Sequence, residues 1–368
     1  MVAIIFILVF GGMVFIHEFG HFLAARFLNI EVEEFGFGFP PRLMTLFKWK
    51  GTEFTLNALP LGGFVRPKGE NDPSVPDGLA AANPWKRLGV LFAGPLMNFL
   101  TAVVVTSIII SMNGMSVEGK VLIENVTEAS PAQQAGIMPN DVLVSVNGTP
   151  VSTLDAARNL IRAGVDTPVQ FHLERNGAPV DITATPLSSR PADQGALGVA
   201  LAYPRRSATP GEVMIGGFKY SGLMALQIIN IPVGLIRGTL NSGEVRLIGM
   251  KGIYDILNQA VSTDIQTRQP VSTTPPTSST GSKPVSSYPT NNTLEVIVSL
   301  SLSLAVFNLL PIPALDGGRI LFALPEILFK KRIPYKLENV VNGVAMLLLI
   351  LLMVVINAMD FINPASFK

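Results

Sequence analysis

Long uncharged apolar runs constrain this chain more than any other feature of its sequence. They lie at Val2–Ile16, Leu88–Met112, Val296–Leu315 and Val341–Met359. With its flanks, each run is long enough for a helix that crosses a hydrocarbon layer of roughly 30 Å, which takes about 20 residues. Only 14% of the residues are charged, against about 25% in an average soluble domain. The runs predict an integral membrane protein with about four transmembrane helices.

Charge and cysteine content exclude several classes of function. The net charge of +1 gives no indication of nucleic-acid binding. The chain has no cysteine, so disulfides and thiolate metal ligands are excluded and any bound metal must be held by His and carboxylate groups. No Lys or Arg precedes the first apolar run, so we expect this run to be retained as a membrane span rather than removed as a signal peptide.

The first apolar run leads directly into an H-E-x-x-H motif, His17-Glu18-Phe19-Gly20-His21. On a helix, residues i and i+4 share one face, so both imidazoles can bind one zinc ion at about 2.0–2.1 Å. Glu18 lies beside them, placed to take a proton rather than to bind the metal. The alternative is a pair of interfacial histidines that cap a membrane helix. The spacing and the cost of a charged Glu in an apolar segment favour a zinc site.

A catalytic zinc usually has three protein ligands, so the motif needs one more. The remaining histidine, His172, lies on a predicted strand and points away from Phe171 and Leu173, so we expect it to be solvated. Asp316 ends a long uncharged stretch within NLLPIPALDGG and is the best candidate. A helix cap at the membrane interface is the alternative role for this carboxylate.

A soluble module separates the second and third apolar runs. Ser130 is the predicted N-cap of a short helix, and Asn147-Gly148 and Asn176-Gly177 are predicted hairpin turns. The order of strands and helices, and the stretch SPAQQAGIMPNDVLVSVNG, resemble a bacterial PDZ domain. The residues Gly114–Gly119 lack the apolar carboxylate-binding loop of that family. Binding of peptide termini and a purely steric role therefore both stay open.

These features divide the chain into eight regions. They are the first transmembrane helix with HExxH (1–29), a cytoplasmic or membrane-re-entrant β-like loop (30–87), the second transmembrane helix (88–112), the PDZ domain (115–190), an interfacial amphipathic region (191–260), a low-complexity insertion (261–292), the third transmembrane helix with the LDGG motif (293–325) and the fourth transmembrane helix (338–360).

Three motifs in this order, HEFGH, AGPLMNF (93–99) and NLLPIPALDGG, resemble the site-2 protease family in its RseP-like bacterial branch. The resemblance implies a polytopic α-helical membrane protein with a membrane-associated β-rich loop and an inserted α+β PDZ domain. It implies Zn²⁺ held by the two motif histidines and Asp316, with Glu18 as the general base. It further implies that residues 36–65 grip the substrate as an added strand, and it suggests these substrate-binding residues: Asn308, Asn98, Asn57, Gly62 and Gly63.

The activity implied by the resemblance is zinc endopeptidase cleavage within transmembrane segments of single-span membrane proteins. Such regulated intramembrane proteolysis acts on anti-sigma factors or signal-peptide remnants. The alternatives are a non-catalytic membrane PDZ scaffold and a metal transporter, since intramembrane His and Asp residues also mark ion pathways. The partners expected are the lipid bilayer and these substrates.

Basic residues predict the orientation. They cluster in region 30–87 and in the loop after Asp316, which places both segments, and the active site, on the cytoplasmic side by the positive-inside rule. The PDZ domain then lies on the outer side of a bacterial inner membrane, although a plastid membrane stays open. For Asp316 to reach His17, segment 220–236 must not cross, so we expect it to be interfacial or re-entrant. Residues 271–292 are Ser/Thr/Pro-rich and predicted to be disordered.

Overall fold

The computed structural model describes residues 2–189, 195–239, 247–268 and 291–362. The chain folds into two compact units. The first comprises Met1–Ile108, Met214–Thr263 and Asn292–Lys368, and the second comprises Ile109–Val213 and Asp264–Asn291.

The first unit begins with a helix, a long β hairpin and a second helix, which are α1 (Val2–Phe27), β1 (Val32–Trp49), β2 (Thr52–Pro67) and α2 (Pro84–Asn113). The two helices approach closely at Gly20, where a Cβ atom would collide with the backbone oxygen of Ala93. Glycine therefore sets the distance between the helix that carries the HExxH motif and its neighbour.

Each strand of the hairpin changes its pairing partner near its middle, so that the two strands form a sheet of four segments. Gly36 pairs with Thr55 on one side and with Phe64 on the other. The resulting order of segments is 42–49, 52–57, 32–37 and 63–67. Phe35, which is 1% exposed, packs edge-on against Phe22 of α1. This contact holds the hairpin against the first helix, next to the HExxH motif.

The second unit contains a mixed module whose elements are β3 (Met115–Ser116), β4 (Val121–Val126), α3 (Pro131–Gln134), β5 (Val142–Val146), β6 (Thr149–Pro150), α4 (Leu154–Ala163), β7 (Val169–Arg175), β8 (Ala178–Ala184), β9 (Val199–Ala202) and β10 (Arg205–Arg206). The main sheet has the order β8-β7-β5-β4-β9, with β6 paired to β5. Buried side chains from both α4 and the sheet form its core, among them Ile161, Phe171 and Leu173.

Local signals in this module are confirmed. The Ser130 side chain accepts a hydrogen bond from the backbone N–H of Gln133, as an N-cap does. His172 lies on the opposite face of β7 from Phe171 and Leu173, and it pairs with Asp181. The predicted end of the module at residue 190 is wrong, because β9 pairs with β4. The sheet therefore needs residues up to 202.

In the residues that the structure describes, the module is followed by five helices, which are α5 (Pro210–Arg237), α6 (Met250–Arg268), α7 (Asn292–Leu309), α8 (Asp316–Phe329) and α9 (Tyr335–Ile362). The single helix predicted over 293–325 is wrong, because the structure has a break between α7 and α8. Pro311 and Pro313 lie in this break, and proline cannot donate the backbone hydrogen bond that would continue a helix.

Two other region boundaries also need correction. Region 191–260 contains β9, β10, α5 and part of α6. Residues 261–268 belong to α6 rather than to a low-complexity insertion, while 269–290 lie outside the described residues. Segment 220–236 lies within α5.

Four helices of the described chain are long and apolar enough to cross a membrane, namely α1, α2, α7 and α9. This number agrees with the four spans predicted from the apolar runs. The protein is thus a polytopic helical membrane protein with a β-hairpin region beside its first helix.

Candidate active site

Three side chains from distant parts of the first unit converge on one point. His17 and His21 lie one turn apart on α1, and Asp316 is the first residue of α8. The Nε2 atoms of the two histidines are 3.2 Å apart. The Oδ2 atom of Asp316 is 3.2 Å from Nε2 of His17 and 3.4 Å from Nε2 of His21. The structure therefore brings together all three predicted metal ligands.

The size of this triangle fits a zinc ion. Ligand atoms at about 2.0–2.2 Å from a tetrahedral zinc are separated from one another by about 3.3–3.6 Å. The three observed separations are 3.2, 3.2 and 3.4 Å. Asp316 Oδ2 is also buried without a hydrogen-bond partner, and buried polar atoms of this kind need an explanation. A bound cation would satisfy this oxygen, so the residues present fit the metal.

The imidazole of His21 is oriented by the backbone of α2. Its Nδ1 atom lies 2.8 Å from the carbonyl oxygen of Val90, which can only accept a hydrogen bond. Nδ1 must therefore carry the proton, and the Nε2 lone pair is left free for a metal. A helix carbonyl thus fixes the tautomer that metal binding requires.

The imidazole of His17 is oriented by the side chain of Asn98. The Asn98 amide is completely buried, with its nitrogen 3.1 Å from His17 Nδ1 and its oxygen left without a partner. Exchanging the amide oxygen and nitrogen, which a hydrogen-bond network must decide, lets His17 Nδ1–H donate to Asn98 Oδ1. This orientation leaves the Nε2 lone pair of His17 free as well.

Glycine at position 94 makes room for both imidazoles. A Cβ atom on Gly94 would clash with the ring of His21 and would lie 2.9 Å from Cε1 of His17. The AGPLMNF segment therefore contributes a flat backbone surface at Gly94 and a polar partner at Asn98. Its position behind the two histidines explains why this motif accompanies HExxH.

The side chain of Glu18 is directed towards the β hairpin. Its Oε2 atom accepts a hydrogen bond from the backbone N–H of Val65 at 3.1 Å. A Cβ atom on Gly63 would lie 3.9 Å from Glu18 Cγ. The segment 63–67 therefore runs directly past the carboxylate that follows the first histidine.

The other predicted substrate-binding residues are distributed around the hairpin and α7. Asn57 is buried and donates to the carbonyl oxygen of Gly38 at 3.2 Å. Gly62 has a φ of +133° and faces the ring of Phe39. Asn308 is half-buried near the end of α7. Asn98, by contrast, lies behind His17 with no exposed surface. This position favours a role in orienting the His17 ring over direct contact with a substrate.

Sequence reasoning missed the roles of Val90, Gly94 and Val65. Two of these act through backbone atoms, which carry no residue-specific signal. The third acts by lacking a side chain. Only the packing of α2 and the hairpin against α1 reveals them.

A His-His-carboxylate cluster with an adjacent glutamate, set among membrane-spanning helices, defines a membrane metallohydrolase. The profile of Peptidase family M50 matches residues 5–352. A Clostridium perfringens protein named "Putative zinc metalloprotease" is 31% identical over 371 residues, covering 99% of both chains. A Campylobacter jejuni protein of the same description is 29% identical, over 94% of this chain and 89% of its own. "Zinc metalloprotease RasP" of Geobacillus kaustophilus is 28% identical, over 96% of each chain.

The chain belongs to peptidase family M50, the site-2 protease family. It is a membrane zinc metalloendopeptidase, so the predicted enzyme class and cofactor are confirmed. A non-catalytic scaffold and a metal transporter are not favoured by this membership.

Proposed function

We propose that His17, His21 and Asp316 hold the catalytic zinc and that Glu18 is the general base for peptide-bond hydrolysis within the membrane. The observation that carries this proposal is the triangle of 3.2, 3.2 and 3.4 Å between the three ligand atoms. Its edges lie within about 0.1 Å of the range for a tetrahedral zinc site, and one of its corners is an unsatisfied buried carboxylate oxygen.

The chemistry divides between the metal and the side chains. Bound zinc supplies a Lewis acid that polarises the scissile carbonyl and acidifies a water molecule. Glu18 takes the proton of the attacking water at a carboxylate oxygen and delivers it to the nitrogen of the leaving amine. Val90 and Asn98 hold the two imidazoles in the orientation that leaves each Nε2 free. The buried position of the histidines, 6% and 9% exposed, limits access of bulk water.

The hairpin offers a docking edge for an unwound substrate. A helical substrate hides its carbonyl groups in its own hydrogen bonds, so it must be extended before hydrolysis. Segment 63–67 pairs with 32–37 on one side, and the N–H of Val65 points the other way, towards Glu18. A substrate strand added at this edge would exchange its helical hydrogen bonds for intermolecular ones beside the general base. Gly62 and Gly63 lie at the start of this edge, where a Cβ atom on Gly63 would lie 2.8 Å from the carbonyl oxygen of Gly36.

Single-span membrane proteins are the proposed substrates, including anti-sigma factors and signal-peptide remnants. The proposed location is a bacterial inner membrane, with the active site near its cytoplasmic side. The supporting observation is the concentration of basic residues in region 30–87 and after Asp316.

The soluble module is proposed to be a PDZ domain on the outer side that selects substrates by the size or the termini of their ectodomains. Its support is the order of elements, in which α3 and α4 lie between strands of a sheet with β4, β5 and β7 in its centre. Carboxylate binding and steric exclusion both remain compatible with this arrangement.

The decisive experiment is cleavage of co-expressed single-span proteins in membranes by the wild type and by Glu18→Gln. The variant should lose cleavage while retaining zinc, because Gln cannot accept the proton but leaves the ligands intact. Glu31→Gln, at an exposed carboxylate paired with Lys68, is the matched control and should cleave normally. Cleavage by Glu18→Gln at the wild-type rate would refute the proposal.

A further inference from the structure

The turn that precedes Asp316 contains a residue in an unfavourable backbone conformation. Ala314, two residues before Asp316, has a φ of +74°. This left-handed region is costly for residues other than glycine, because the Cβ atom crowds the backbone. Such a conformation persists only where the surrounding structure holds it in place. Something must therefore stabilise Ala314.

A side chain on the last membrane helix supplies that stabilisation. The backbone N–H of Ala314 donates a hydrogen bond of 3.0 Å to the side-chain oxygen Oδ1 of Asn342 on α9. Asn342 is half-buried within a helix that qualifies as a membrane span. Polar side chains in spans are costly and usually have a partner or a function. Here the partner is the turn that precedes a metal ligand.

The turn transmits this contact to Asp316 through backbone hydrogen bonds. The N–H of Leu315 donates to the carbonyl oxygen of Ile312 at 3.2 Å, and the N–H of Arg319 donates to that of Leu315 at 3.2 Å. Leu315, the N-cap of α8, has no side-chain cap. The start of α8 is therefore set by the path of the turn rather than by a local capping side chain.

We propose that Asn342 is a positioning residue for the zinc site, which acts by holding Ala314 in its left-handed conformation and thereby aims the carboxylate of Asp316 at His17 and His21. This proposal rests on the zinc role of Asp316 proposed above. It assigns a function in the metal site to α9, which supplies none of the three ligands.

The first test replaces Asn342 by Leu, which has a similar size but cannot accept the hydrogen bond. Zinc affinity, measured by competition with a chelator, should fall about tenfold, the lower end of the effect of removing an outer partner of a metal ligand. Hydrogen exchange of the segment 312–316 should become faster in the same variant. Asn339→Leu is the matched control. It lies one turn away on α9 and contacts the carbonyl oxygen of Asn71 instead, so it should keep wild-type zinc affinity.

The second test is rescue by glycine. Glycine adopts positive φ angles without a steric cost, so Ala314→Gly in the Asn342→Leu background should restore most of the lost zinc affinity. A merely structural role of Asn342 in helix packing would not respond to a change at position 314. Gel filtration in detergent confirms that each variant remains folded.

Two results would overturn the proposal: wild-type zinc affinity in Asn342→Leu, or a double variant no better than the single one. Asp316→Ala separates this proposal from the one before it. If Asp316→Ala keeps wild-type zinc affinity, the assignment of the ligand itself is wrong. If Asp316→Ala loses zinc while Asn342→Leu does not, only the positioning role of Asn342 is wrong.

Discussion

Individual residues in this site are held by partners far away in the sequence. His21 is oriented by a carbonyl oxygen 69 positions away and His17 by an amide 81 positions away. Each partner fixes the orientation of an imidazole ring and selects the tautomer that is protonated at Nδ1. The two histidines are therefore already organised to present lone pairs to a metal, which reduces the conformational cost of binding.

Asn98 provides a prediction at this scale. Asn98→Leu removes the acceptor for His17 Nδ1–H, so zinc affinity should fall about 10–100-fold, as expected for an outer partner of a ligand. Asn98→Asp retains an acceptor oxygen and should bind zinc more tightly than the Leu variant. The measurement is chelator competition on purified protein. Equal affinity in the wild type and in Asn98→Leu would contradict the assigned role.

At the scale of elements, the site depends on how closely α1 and α2 pack. Gly20 on α1 lets the backbones of the two helices come together, and Gly94 on α2 makes room for the imidazole rings between them. Small residues at helix contacts are the usual way to achieve close packing in membranes, because lipid gives apolar helices no strong reason to associate. The helix that carries the histidines and the helix that orients them can therefore pack closely, because glycine has no side chain to keep them apart.

A pair of glycines on α1 tests this packing. Gly20→Ala places a Cβ atom against the backbone oxygen of Ala93, so it should lower both thermal stability in detergent and zinc affinity. Overpacking of this kind typically costs about 1–3 kcal/mol. Gly12→Ala is the matched control, because no atom lies within 4 Å of its Cβ position. Equal unfolding temperatures for the two variants would show that the helices are not in tight contact at Gly20.

The start of α5 offers a prediction about pH. The carboxyl group of Glu212 accepts hydrogen bonds from Arg206 and from Thr209. These bonds, of which that from Arg206 has the larger effect, lower the pKa of Glu212 from 4.5 to about 2. Thr209 and Glu212 also bond reciprocally, as in a capping box. Because the folded pKa is depressed, the stabilisation is fully present above about pH 4.5 and is lost as the pH falls towards 2.

The measurement is a carboxyl NMR titration of Glu212. Its midpoint should lie near 2 in the wild type and move towards 4.5 in Arg206→Gln, which removes the principal cause of the shift. A wild-type midpoint near 4.5 would show that the Arg206–Glu212 pair does not form in solution.

At the scale of the whole molecule, the soluble module is inserted through two adjacent strands. Met115–Ser116 of β3 pairs antiparallel with Arg205–Arg206 of β10, and the N–H of Val117 donates to the carbonyl oxygen of Pro204 at 2.7 Å. The chain thus enters and leaves the module at neighbouring points. A two-stranded stem of this kind can be closed by a short turn.

Excision of the module is the corresponding prediction. Replacing residues 117–204 by a glycine-containing two-residue turn should leave zinc affinity unchanged, because the three proposed ligands lie in the other unit. If the module acts as a filter, the shortened protein should also cleave substrates whose ectodomains are untrimmed, which cleavage in membranes would reveal. Loss of zinc on excision would contradict the independence of the two units.

The sequence predicted the parts of this protein that depend on local pattern. The four spans follow from apolar run length, the histidine pair from helical spacing, and the caps and turns of the module from Ser130, Asn147 and Asn176. Prediction failed where distant packing decides. The contact between Asn342 and Ala314 has no local signature, and β9 pairs with β4 although the other strands of the sheet lie between them in the sequence.

The break between α7 and α8 has a signal in the sequence that conflicts with the length of the apolar run. Pro311 and Pro313 stand within the long uncharged stretch, and run length favoured one continuous helix over their interruption. The structure shows that the prolines, rather than the apolar run, determine where the helix ends and where Asp316 begins the next one.

The position of the proposed third ligand has a consequence for biosynthesis. Asp316 follows His21 by 295 positions in the sequence, so a ribosome must translate this whole stretch before the proposed catalytic centre can assemble. A growing polypeptide that already displays HExxH in the bilayer would be unable to cut its neighbours. The enzyme would gain the power to hydrolyse only after Asp316 has been synthesised and has reached the two histidines.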